Sequence, residues 1–198
     1  MSLLNLAEIP GYADAVRSER EARDLAFCDW PVPLCGLNVH QFTLTHLLIL
    51  GNCENAFVTG GKAPEVEDVA FFLWVVSPDY VPNDNAARNR FLRSIRRKVK
   101  FFAAVREIGE YVQAAFQDAP QGGAGETKSY TSFAATYCDL FASEYGWDDS
   151  QTMRKPIARL FQLYRRIQKR ANPRAILFNQ SDRVLSRHLA SQMTQPNG

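Results

Sequence analysis

The sequence contains no long hydrophobic run. The longest, Val69 to Val76, has eight residues, far short of the ~20 that a membrane-spanning helix requires, so no membrane association is expected. The start, MSLLNLAEIPGYADAV, has no basic region ahead of an apolar stretch and does not read as a secretory signal. Cysteine is sparse, and none of Cys28, Cys35, Cys53 and Cys138 forms a C-x-x-C pair. Reduced, mostly buried thiols in a cytosolic protein are therefore expected, with no disulfide framework. Cys28, Cys35, His40 and His46 are separated by six, four and five residues. That misses the tight spacing with which a turn brings two ligands onto zinc, and no metal or other cofactor is expected. Only three histidines occur, with no Walker A, G-x-S-x-G or H-E-x-x-H sequence. His46 lies among Leu44, Leu47, Leu48 and Ile49 and reads as a hydrogen-bonded core or boundary residue. No catalytic residue is assigned, and the protein is not expected to be an enzyme.

What the sequence does have is helical periodicity and an uneven distribution of charge. The composition, 46% apolar and 22% charged over 198 residues, belongs to a folded chain that can bury roughly 70% of its unfolded surface without covalent staples. Residues 1–82 hold 11 acids and 4 bases, whereas residues 83–198 hold 10 acids and 19 bases. Such a split gives either two surfaces with different partners or two halves that attract each other.

Along the chain, a helix is predicted from Pro10 to about Phe27, its charged interior RSEREARD forming a solvated face. Pro31 and Pro33 force extended backbone in DWPVPLCGLNVHQF, leaving at most a short β element near residues 34–42, with Leu37, Val39 and Gln41 on one strand. Thr43 or Thr45 caps the apolar helix LTHLLILGNCENAF. EVEDVAFFLWVVS, with acids in its first turn, reads as the central buried helix. Asn83 or Asp84 caps the longest helical segment, 83–117, with either a break near Gly109 or a protruding end. DAPQGGAGETK (118–128) reads as a flexible linker. Beyond it lie helices opened by Ser129 or Thr131, by Asp148 or Asp149 and by Pro156, and a weaker one over 181–192. The expected architecture is mostly α, an irregular bundle of six or seven helices. An N-terminal region 1–117 and a C-terminal region 129–198 are expected to pack as one domain.

Two surfaces could carry function. Residues 83–107 carry eight Lys/Arg against two acids, and 154–174 carry eight against none. The candidate basic face, within 88–100 and 154–174, comprises Arg90, Arg93, Arg97, Lys100, Arg166 and Arg170, which could meet nucleic-acid phosphates. Aromatic and aliphatic stripes either pack the chain's own core or give the second surface, an apolar groove for a partner helix.

Three segments carry a resemblance: LNVHQFTLTHLLILGNCENAFVTGG (37–61), DVAFFLWVVSPDY (68–80) and EYGWDDSQTMRKPIARLFQLYRR (144–166). In this order they resemble tail assembly chaperones of tailed bacteriophages and prophages, over residues 34–82 and 130–170. The resemblance implies a largely helical, non-enzymatic helper acting in the cytoplasm of the bacterial host. It would hold a tape-measure-like helical protein until tail tube subunits assemble around it. Leu47, Phe57, Trp74, Phe161 and Tyr164 are the expected apolar partner contacts. The alternative is a nucleic-acid-contacting phage accessory protein using the basic face.

Overall fold

The computed structural model describes residues 6–120, 131–177 and 179–193. Among the described residues ten α-helices stand against a single two-stranded sheet, so the protein is mostly α. Its contacts gather into two compact units, one formed by residues 29–161 and the other by 1–28 with 162–198. Residues 121–128 of the expected linker and the end of the C-terminal tail lie outside the described residues.

The larger unit opens with strands β1 (Val32–Leu34) and β2 (Leu37–Val39), paired antiparallel in the register Val32 with Val39 and Leu34 with Leu37. The single strand expected here is therefore half of a hairpin, and Gln41 falls outside it. The link is Cys35-Gly36, with φ of 52° and 74°. Two successive positive φ values give the type I′ geometry whose twist matches that of the flanking strands. Cys35 fills a position usually taken by Asn or Asp, so the turn is hidden from sequence rules. Its N–H donates to Glu107 Oε2 at 2.8 Å, which fixes the turn against a helix 72 residues away.

Thr43 caps α2 (Leu44–Asn52), and Asn55 caps the short α3 (Ala56–Thr59). The expected helix 44–57 is thus broken at Glu54, which takes φ 51°. The next helix, α4 (Val66–Val76), buries Val69 and every residue from Phe72 to Val76, as expected of a helix apolar nearly all round.

The long segment after it is two helices, α5 (Asn85–Ile95), capped by Asp84, and α6 (Phe101–Ala115). The break falls at 96–100 rather than at Gly109, which is an ordinary exposed position inside α6. Packing explains it. Both helices lie on α4, which at 11 residues is only about 16 Å long. A straight rod of 35 residues could not bury both Phe91 and Ile95 and also Ala104 and Ile108 against so short a partner. The bend comes where Arg96, Arg97 and Lys98 sit side by side, and cations are favoured at the end of α5 by its dipole.

In α7 (Phe133–Tyr145), Ser132 is the cap, one residue beyond the expected Thr131 (Ser129, the other expected position, lies outside the described residues), and Gly146 ends the helix in the left-handed conformation at φ 65°. Asp148 caps α8 (Asp149–Arg154), and α9 (Ile157–Ala171) follows Pro156. Phe42, Phe72, Tyr111 and Phe116 form a continuous run of ring contacts, extended through Phe161, Tyr137 and Phe141 to Trp147. The high aromatic content is spent here, on the core of one unit.

In the smaller unit, α1 (Tyr12–Leu25) packs against α10 (Gln180–Met193). The solvated face expected of RSEREARD is interrupted at Glu19, which is 3% exposed. Its carboxylate accepts from both the N–H and the Oγ of Ser181, capping α10 from a different helix. Arg23 and Arg165 both donate to Asn179 Oδ1, which secures the same helix start.

Candidate functional site

A cleft of the larger unit lies beside the start of α2. It holds about 370 Å3 and is lined by Asp29, Trp30, His40, Gln41, Thr43, Thr45, His46, Arg154 and Pro156. Its back wall follows from the Thr43 cap. The His46 N–H donates to Thr43 Oγ1, and the Thr43 N–H donates back to His46 Nδ1, each at 3.3 Å. Each residue thus satisfies the other's backbone donor, a capping box with His in the place of the usual Glu or Gln. Because Nδ1 accepts, the neutral ring carries its proton on Nε2.

Burial, with the nearby His40 adding to it, pushes the His46 imidazolium down to about 4. A base that weak near neutrality gains little in proton abstraction. His40 stacks on it at 6.4 Å between centroids, and no cysteine lines the cleft. Among the described residues, no group of three or more His, Cys, Asp and Glu is placed to hold a metal ion.

The four cysteines are free, and each is half-buried or exposed rather than buried. Burial and then the Glu107 carboxylate push the Cys35 thiol up to about 12. A rise from 9.0 to about 12 cuts the thiolate population about a thousandfold and returns part of that in nucleophilicity. Cys35 should therefore react about 30-fold more slowly than an ordinary thiol. Titration with a disulfide reagent at pH 8 should modify exposed Cys53 first and Cys35 last, and Cys53→Ser should remove the fastest phase.

The apolar candidates divide. Trp74 is 2% exposed, between Tyr80 and Phe91, and Phe161 is 1% exposed, against Phe116, Phe133 and Tyr137. Both belong to the core and cannot meet a partner while the fold stands. Leu47, Phe57 and Tyr164 are half-buried. The large apolar side chain most open beside the cleft is Trp30, 67% exposed. Sequence reasoning did not select it, because a lone Trp between two loop residues has no periodicity to signal it.

All six candidate basic residues, Arg90, Arg93, Arg97, Lys100, Arg166 and Arg170, are exposed. They do not form one surface on one unit. The first four belong to α5 and the turn to α6, and the last two to the C-terminal half of α9, which falls in the smaller unit. No helix among the described residues is long and apolar enough to cross a membrane.

Three segments, 37–61, 68–80 and 144–161, meet in space within the larger unit. The His40 N–H donates to the Val76 carbonyl at 2.9 Å, and the Ile157 N–H donates to the Phe42 carbonyl at 2.8 Å. Thr43 forms an antiparallel bridge with Pro156, and Thr45 Oγ1 donates to the Met153 carbonyl. Asn55 Nδ2 donates to the Asp68 carbonyl. Residues more than a hundred positions apart are therefore hydrogen-bonded into one body. No protein-family model, curated protein or solved structure matches the chain.

Proposed function

We propose that the protein is a non-enzymatic assembly chaperone of bacteriophage tail morphogenesis, holding a tape-measure-like helical partner in the host cytoplasm while tail tube subunits polymerise. One observation carries this reading: the three resembling segments, distant in sequence, are bonded to one another as a single structural element. The weakly basic His46 beside the cleft supports a binding role over a catalytic one.

With Trp74 and Phe161 in the core, the partner's apolar face would rest on residues still open to it, Trp30 at the cleft and the half-exposed Leu47 and Phe57. Co-expression with a tape-measure protein of a tailed phage, followed by affinity pull-down, tests the proposal. The partner should be recovered in a complex and should precipitate when expressed alone. A partner equally soluble alone, with no complex formed, refutes the reading.

A further inference from the structure

From Arg88 to Lys100 the chain carries seven cations and no acid. Arg88 lies over the Phe71 ring at 5.6 Å. The other six, Arg90, Arg93, Arg96, Arg97, Lys98 and Lys100, are all exposed and form no ion pair among the described residues. This is not the edge of a generally basic body, because residues 29–161 hold 15 acids and 13 bases. The patch is a local excess on an acidic unit. The dipole of α5 favours a cation or two in its last turn, but it gives no reason to gather six. Asp79 and Asp84 line a cleft with Arg90, but neither pairs with it, and like charges held together with so few counter-charges repel one another, a cost that an anionic partner would remove.

Beside the patch, Phe102 in the first turn of α6 is 87% exposed, the most open large apolar side chain described. Its ring is held edge-on against Phe101 at 5.4 Å between centroids. An acidic peptide would answer the charge and leave the ring unexplained. A duplex offers phosphates, but its bases are stacked on one another. A single strand offers both phosphates and free base faces, the combination that cationic grooves with aromatic platforms take.

We infer that Arg90, Arg93, Arg96, Arg97, Lys98 and Lys100 bind the phosphates of a single-stranded nucleic acid and that Phe102 stacks on one of its bases. This does not rest on the chaperone reading, which concerns other residues of the unit. The test is a fluorescence-anisotropy titration of the full chain with a labelled 20-nucleotide oligothymidylate at 50–300 mM NaCl. With three to six phosphates neutralised, log affinity should fall with log salt at a slope of about −2 to −4.

Arg93→Glu/Arg96→Glu/Arg97→Glu should weaken binding at least ~10-fold and flatten the slope by about 2. Phe102→Ala should weaken binding about fivefold or more with the slope unchanged. All four side chains are exposed, so circular dichroism should show both variants folded. Absence of binding at 50 mM NaCl overturns the inference. So does an equal affinity for poly-L-glutamate or for a duplex of the same length, or an oligonucleotide affinity that Phe102→Ala leaves unchanged.

Discussion

His46→Gln should make the larger unit markedly more resistant to acid while leaving its stability at pH 7 nearly unchanged. In the folded chain burial, assisted by the charge of His40, lowers the His46 value from 6.5 to about 4. Once unfolded, the imidazole returns to its ordinary value. Between those two values the unfolded chain binds a proton that the folded chain refuses. Stability from this group is therefore complete above pH 6.5 and is lost as the pH falls towards 4. The full displacement corresponds to about 3 kcal/mol, or roughly 6–12 °C in melting temperature for a unit of this size. Glutamine is the informative replacement. At the third position of a helix it can accept the Thr43 N–H as the imidazole does, so the capping box survives while the titration disappears.

All three tryptophans, Trp30, Trp74 and Trp147, lie in residues 29–161, so urea unfolding followed by tryptophan fluorescence reports on this unit. Wild-type and variant midpoints should coincide at pH 7 and separate steadily from pH 6 to 4.5. Parallel curves would mean that the ring is open to water. His40→Gln should recover a smaller part of the loss, since its charge is the lesser cause.

The elements legible in the sequence were those whose signals are local. Thr43, Asp84, Asp148 and Gly146 stand where capping chemistry places them, and the apolar run Val69–Val76 of α4 could hardly lie anywhere but inside. The features that stayed hidden depend on distant partners. Cys35-Gly36 makes a hairpin turn without the Asn or Asp that announces one, and Glu107 is the reason it holds. Nothing in RRKVK breaks a helix by propensity. The bend there answers to the length of α4, a tertiary fact.

Glu19 looks like any other charge on α1 until Ser181 arrives from the far end of the chain. The same limit governs the candidate site. An amphipathic stripe states which face is apolar but not whether the chain itself will cover that face. Trp74 and Phe161 are covered by their own core, whereas the cations of 88–100 remain exposed as expected. Charge is the more legible signal, because few arrangements could bury six cations without acids.

Replacing Asp68 should destabilise the larger unit by about 3 kcal/mol as Ala and by less as Asn, since a single carboxylate serves two helix starts. Asp68 Oδ2 accepts the Glu65 N–H at 3.0 Å at the start of α4, and Oδ1 accepts the Ala56 N–H at 3.2 Å at the start of α3. Lys62 Nζ lies 3.4 Å from Oδ1. The residue is 8% exposed, so these donors cannot turn to water when the acceptor is removed. Asparagine keeps one oxygen but directs an amide N–H towards the second donor.

Burial by itself would raise the carboxyl above its ordinary 3.8. The N–H groups of Glu65 and Ala56, with the Lys62 ammonium, outweigh it and bring the group lower. A carboxylate depressed in this way contributes its full stability above about 3.8, and that stability is lost as the pH falls through the folded value. This step lies below the histidine window, so the two are separable. In a His46→Gln background, the acid unfolding that remains should include the Asp68 step, at lower pH than the histidine window. In the double variant His46→Gln/Asp68→Asn that remaining step should shrink, with the curve displaced downward at every pH above it. A double variant no less stable at pH 7 than His46→Gln would show that α3 and α4 hold their starts without this carboxylate.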